Sequence, residues 1–177
     1  MNKALTLTTL AVLFTPSLVM AESANTITFQ GEVADQTCSV SVNGNAESPV
    51  VLLPTVAATD LTDGASTGTT NFSLGVTGCT APAASLNIGT VFVGNNVTAA
   101  GNLGNTGTAT NVVLQLLESD TTDVVLDLTS TATAAGLVLA AGETEASHNF
   151  AVRYFAEGGD ATAGTVISSV QYALTYQ

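Results

Sequence analysis

The stretch Thr26-Ile-Thr-Phe-Gln-Gly-Glu-Val33 alternates apolar and polar residues with period two, the pattern of a strand with one buried face. Ile27, Phe29 and Val33 share one side with Gly31 among them, while Thr26, Thr28, Gln30 and Glu32 form an opposite side suited to water. Such a row needs an apolar groove to lie in. A strand near a chain end, with a glycine in its apolar row, either pairs within its own sheet or is lent to another molecule.

What precedes the stretch places it at the start of a processed chain. Residues 1–21 carry one positive charge at Lys3, an apolar run from Ala4 to Phe14, then Pro16, Ser17 and a Val19-Met20-Ala21 ending. This reads as a signal peptide cut after Ala21, and its apolar part is shorter than the roughly 18 residues of a membrane-spanning helix. The expected mature chain has 177 − 21 = 156 residues, enough for one domain with a real core.

Without Lys3, the mature chain sets one strong cation, Arg153, against fourteen carboxylates, a net charge of 1 − 14 = −13. A phosphate backbone or an anionic lipid surface is repelled by that balance, so no nucleic-acid partner and no membrane insertion are expected. Abundant Thr, Ala, Gly, Val and Asn with few charges points to many short strands under a neutral, hydrogen-bonding surface. Cys38 and Cys79 are the only cysteines, and in an exported chain one disulfide is the expected state. A zinc site lacks ligands, since His148 is the sole histidine.

The period-two pattern recurs along the chain. Strands are expected at 37–42, at the apolar run 50–53 before Pro54, at 69–78 with Phe72, Leu74 and Val76 inward, at 86–93, at 147–155 with Phe150, Val152 and Tyr154 inward, and within 165–177. Residues 111–118 and 123–128 read as a hairpin, 95–110 as a surface loop, and 129–135 as too small and polar for core. Strands spaced by about ten residues without a helix argue for a β-sandwich.

No catalytic constellation emerges. His148 reads as a strand-surface residue, no Gly-x-Ser-x-Gly occurs, and Asp120, Asp123 and Asp127 read as a solvated hairpin end rather than a calcium loop. Asn71 and Asn96 match the glycosylation acceptor pattern by chance, and Gly104-Asn-Thr-Gly107 lacks the lysine of a phosphate loop. No cofactor and no enzymatic activity are expected.

The segment from Thr26 through Cys38 to Val40 closely resembles the start of mature type 1 fimbrial subunits of the chaperone–usher pathway. Val51-Leu-Leu-Pro-Thr-Val56, Phe72-Ser-Leu-Gly-Val-Thr-Gly-Cys79, Asn111-Val-Val-Leu-Gln-Leu116, Phe150-Ala-Val-Arg-Tyr154 and Val170-Gln-Tyr-Ala-Leu-Thr-Tyr-Gln177 resemble family segments in the family's order. The resemblance implies an all-β, incomplete immunoglobulin-like sandwich completed by a donor strand from a neighbouring subunit. It implies that residues 22–35 are the donor extension, with Ile27, Phe29, Gly31 and Val33 facing a neighbour's groove, and that 36–177 form the pilin domain. Val170, Tyr172, Leu174 and Tyr176 are expected to border the groove, and Gln177 to end in a carboxylate that a periplasmic chaperone anchors.

The implied partners are neighbouring subunits, that chaperone and an outer-membrane usher. The implied destination is a cell-surface fimbria reached through the periplasm. A shaft role is expected, with a minor adaptor role or a secreted carbohydrate-binding sandwich as alternatives. The last would call for clustered aromatics, and the chain has no Trp.

Overall fold

The computed structural model describes residues 33, 36, 38–47 and 49–177. Among the described residues eight strands are formed: β1 (Ser39–Val42), β2 (Ser66–Thr77), β3 (Leu86–Gly94), β4 (Leu103–Gly104), β5 (Val112–Leu117), β6 (Ala132–Leu139), β7 (Ala146–Ala156) and β8 (Val170–Tyr176), with a 3₁₀ turn at Ala58–Asp60. Antiparallel pairing sorts them into a five-stranded sheet, β1-β2-β7-β5-β4, and a three-stranded sheet, β6-β3-β8.

The core forms where the alternating rows of the two sheets meet. Phe72, Leu74 and Val76 of β2 are buried, and Phe72 lies opposite Phe150 of β7 with the rings stacked at 5.7 Å. Phe92 of β3 meets the same Phe150 edge-on at 5.2 Å, which joins the sheets. Cys38 and Cys79 are bonded, their Cα atoms 4.4 Å apart. The bridge spans the foot of the β1–β2 ladder, where Ser39 faces Thr77, and so pins an edge strand of four residues. At the other end of β1 the chain reverses through Asn43 and Gly44, both at positive φ (50° and 75°), as a two-residue hairpin turn requires. The Ser73 amide donates to Asn43 Oδ1 at 2.8 Å, tying that turn to β2.

Several sequence expectations are corrected. Residues 50–53 lie extended with Val51 and Leu53 packing on the core while Val50 (73% exposed) and Leu52 (84%) point out, but they join no ladder among the described residues. Residues 95–110 are not a simple surface loop: they contain β4 and bury Asn102, Leu103 and Ala109. The expected hairpin keeps only its first arm as a strand. β5 pairs with β7 on one edge, and its other edge is shared by β4 and by residues 124–126, through Glu118 N to Val124 O (2.9 Å) and Leu126 N to Leu116 O (2.8 Å).

The segment expected to be too small for core opens β6, where Ala132 and Ala134 are buried. Ala132 faces Phe92 across the ladder, so a small side chain fits beside a large one. β6 then bulges, two residues (Ala135 and Gly136) opposing Gly89 alone. Gly136 has φ 107°, and a Cβ there would strike the His148 ring. His148 is accordingly partly buried rather than on the surface, donating from Nε2 to the Glu118 carbonyl at 2.9 Å and lying edge-on to Phe150.

Candidate functional site: an open apolar groove

Strands β2, β5 and β7 turn Leu74, Leu114, Leu116 and Val152 toward a hollow of about 410 Å³, with Phe92 of the second sheet also lining it. One rim is the unladdered segment 49–53. The opposite rim is the run Ile167-Ser-Ser-Val170 leading into β8, together with Tyr172. The lining has no carboxylate, lysine, arginine or histidine. It is therefore suited to burying apolar side chains, each worth about 1.5–3 kcal/mol for a Val, Ile or Phe. Leu74, a floor residue, belongs to the same buried cluster as the rest of the core. The groove is an opening into the core rather than a separate surface cleft.

A second hollow of about 240 Å³ follows along the same elements, lined by Val56, Leu61, Val112, Tyr154 and Val166. Where the first rim passes from 53 to 55, the Tyr154 hydroxyl donates to the Pro54 carbonyl at 3.2 Å. Burial raises the Tyr154 phenol above its ordinary pKa, so it stays protonated and keeps donating at neutral pH.

β8 is an outer strand of its sheet. Val170, Tyr172, Leu174 and Tyr176, the residues expected to border the groove, pack partly buried against the core, and β3 holds them in register from Gly94↔Val170 to Ile88↔Tyr176. The Gln177 amide extends the ladder by donating to the Asn87 carbonyl at 3.0 Å. Val170 and Tyr172 line the larger hollow; Leu174 and Tyr176 lie beyond it along the strand. The run before β8 is held by backbone and side-chain bonds together: the Thr106 and Ala109 amides donate to the Ile167 (2.8 Å) and Thr165 (3.1 Å) carbonyls, while the Thr165 amide donates to Thr108 Oγ1 at 2.9 Å and the Ile167 amide to Asn105 Oδ1 at 2.8 Å. Sequence reading expected strands at 50–53 and within 165–177 but did not anticipate that 49–53 and 167–169 form the two rims.

Ile27, Phe29 and Gly31 lie outside the described residues, while Val33 is described and exposed. Arg153 lies away from the groove lining, its Nε donating to Gln115 Oε1 and its Nη1 paired with Asp123, both at 2.9 Å. Asp127 is held below the ordinary carboxylate range by hydrogen bonds from the Thr129 amide and hydroxyl. No group of three or more potential metal ligands occurs among the described residues. Nor is any described helix long and apolar enough to cross a membrane.

Two antiparallel sheets around a core left open beside an outer strand define an incomplete immunoglobulin-like sandwich. Solved structures with this fold include the P pilus rod subunit PapA, with a TM-score of 0.59 at 16% identity over 79% of this chain and 99% of that one. Another is a chaperone–usher pilus described as revealing the basis of rod uncoiling, with a TM-score of 0.57 at 18% identity over 92% of this chain and 100% of that one. No family profile matches.

Sequence relatives extend the likeness beyond the fold. The chain is 36% identical over 158 residues to the F17 fimbrial protein of Escherichia coli, covering 85% of this chain and 86% of that protein. It is 37% identical over 164 residues to the major fimbrial subunit SMF-1 of Stenotrophomonas maltophilia, covering 85% and 91%. The chain belongs to the fimbrial subunits of the chaperone–usher type.

Proposed function

We propose that this chain is the shaft subunit of a fimbria and polymerises by donor-strand exchange, each domain's open groove being filled by the neighbouring subunit's N-terminal extension. The observation that carries this reading is the groove, an uncharged hollow into the core that runs beside the outer strand β8. In this reading residues 1–21 are removed on export, 22–35 form the extension and 36–177 the accepting domain. Ile27, Phe29 and Val33 enter the groove beside Val170 and Tyr172, and Gly31 lies where space is tightest. Burying the three side chains contributes about 1.5–3 kcal/mol each, and a backbone ladder along the strand supplies register and direction. A donor at one end and an acceptor groove along the body make a heterologous interface that does not close, which gives a filament.

Before assembly, a periplasmic chaperone covers the groove and an outer-membrane usher passes the subunit to the growing fibre. The likeness to a major fimbrial subunit supports the shaft role over a minor adaptor. The role is structural and not enzymatic, and the likeness to fimbrial subunits supports it.

Removal of residues 22–35 tests the donor role. Such a subunit should still be captured by the chaperone and accept a strand, yet end every fibre it joins, so that co-expression with the intact chain shortens the fimbriae. Fimbriae of full length built from the truncated chain alone would rule the reading out. The chaperone's hold on β8 is tested separately by deleting Tyr176 and Gln177, which should abolish the chaperone complex and lead to periplasmic degradation. Normal yields of that complex would exclude the C-terminus as its anchor.

A further inference from the structure

We propose that Asn43 is a deamidation site which the folded hairpin holds closed and which reacts once β1 comes away from β2. The chemistry belongs to one side chain of one subunit and needs no assembled fibre.

Of the chain's asparagines, only Asn43 is followed by glycine. Without a Cβ, Gly44 leaves its own backbone nitrogen unshielded, and nothing lies within 4 Å of where that Cβ would be. Both residues are exposed, and among the described residues no group accepts a bond from the Gly44 amide. Base in the solvent can therefore take the Gly44 amide proton, and the freed nitrogen attacks Asn43 Cγ. The Cγ–Nδ2 bond breaks, the nitrogen leaves as ammonia, and a succinimide ring remains. Water then opens either ring carbonyl, giving aspartate or, with the chain rerouted through the side chain, isoaspartate. Water is consumed and ammonia released in equal amounts, with no change in oxidation state.

The fold opposes the first step. Asn43 and Gly44 sit at φ 50° and 75°, as in a type I′ turn, where ψ at the first central residue is about +30°. That angle carries the Gly44 nitrogen nearly opposite Cβ across the Cα–C bond, whereas ring closure needs the two on the same side. Turning it breaks both backbone bonds between Val42 and Asn45, each 2.9 Å. Asn43 is also clamped to β2: its amide donates to the Ser73 carbonyl and its Oδ1 accepts from the Ser73 amide, both at 2.8 Å. Ring closure in the folded subunit therefore waits on an opening of the hairpin. It should be slower than in the unfolded chain by roughly 10- to 100-fold, the factor that two net backbone hydrogen bonds represent. Isoaspartate lengthens the two-residue turn by one backbone carbon, so the Val42–Asn45 pairing is lost. Val42 belongs to the core and lines the groove, so the damage reaches the strand-accepting surface.

The native subunit purified from cells, and the same chain unfolded in denaturant with reductant, are held at mildly alkaline pH. Mass spectrometry follows the peptide spanning Asn43, and isoaspartyl methyltransferase labelling of that peptide separates the two products. In the unfolded chain Asn43 should convert ahead of every other asparagine, and in the native subunit roughly 10- to 100-fold more slowly. Gly44→Ala, measured unfolded so that its own folding does not matter, should remove the lead of Asn43 over the other asparagines. Equal rates in the native and unfolded chains overturn the protection by the hairpin. Another asparagine converting first in the unfolded parent, or an undiminished lead of Asn43 in Gly44→Ala, overturns the site.

Discussion

Subunits carrying Gly31→Leu are expected to fold on their chaperone and stop there, giving periplasmic complexes and no fimbriae. In the proposed arrangement a leucine at 31 adds a branched side chain to a strand whose other inward residues, Ile27, Phe29 and Val33, already fill the neighbour's groove of about 410 Å³. Overpacking of this kind costs about 1–3 kcal/mol, roughly a 5- to 150-fold loss in affinity for the strand. Sliding the strand by one residue offers no escape, because Thr28, Gln30 and Glu32 would then face an uncharged lining. Gel filtration and electron microscopy of the periplasmic fraction read the outcome. Fimbriae of normal length would show that position 31 does not enter the groove.

The second large effect concerns the disulfide. Cys38 and Cys79 are separated by 41 residues, and the chain-entropy estimate for such a loop is about 4 kcal/mol. The bridge is also the covalent tie at the foot of β1, whose buried Val42 belongs to the core and lines the groove. Replacing both cysteines by serine should therefore lower the melting temperature by about 8–16 °C, since each kcal/mol shifts a domain of about 150 residues by roughly 2–4 °C. It should also weaken strand acceptance. A melting temperature within a degree or two of the parent would mean that the ladder holds β1 unaided.

The strands that were legible in the sequence are those whose inward rows are large and unbroken. Phe72, Leu74 and Val76 mark β2, and Phe150, Val152 and Tyr154 mark β7, each with smaller or polar residues between. β6 was hidden for two physical reasons. Its inward residues Ala132 and Ala134 are small because Phe92 fills the space opposite, and the bulge at Gly136 shifts the inward set to Leu137 and Leu139, which breaks the period. β4 was hidden because two residues carry no periodicity, and the docking of 165–169 on 105–109 because it mixes backbone bonds with bonds to side-chain hydroxyls and amides, a pairing with no period.

The groove itself was legible only in part. Val170 and Tyr172 stood out in the alternation of the closing strand, but the floor comes from β2, β5 and β7 and the far rim from 49–53. That assembly is made by tertiary pairing, which leaves no local trace. The apolar run 50–53 reads as a strand, yet a ladder also needs a partner strand, and local sequence does not reveal whether one lies alongside; Val51 and Leu53 pack on the core without one among the described residues.

The most direct test of strand exchange is the melting temperature of a subunit lacking residues 22–35, measured with and without a synthetic peptide of that sequence. Val33 and its neighbours should fill the groove in trans, raising the melting temperature by RT ln(1 + [L]/Kd), about 2.7 kcal/mol of stabilisation at a hundredfold excess over Kd, while a Gly31→Leu peptide should raise it far less. An unchanged melting temperature at saturating peptide, or an equal rise with both peptides, would contradict the account.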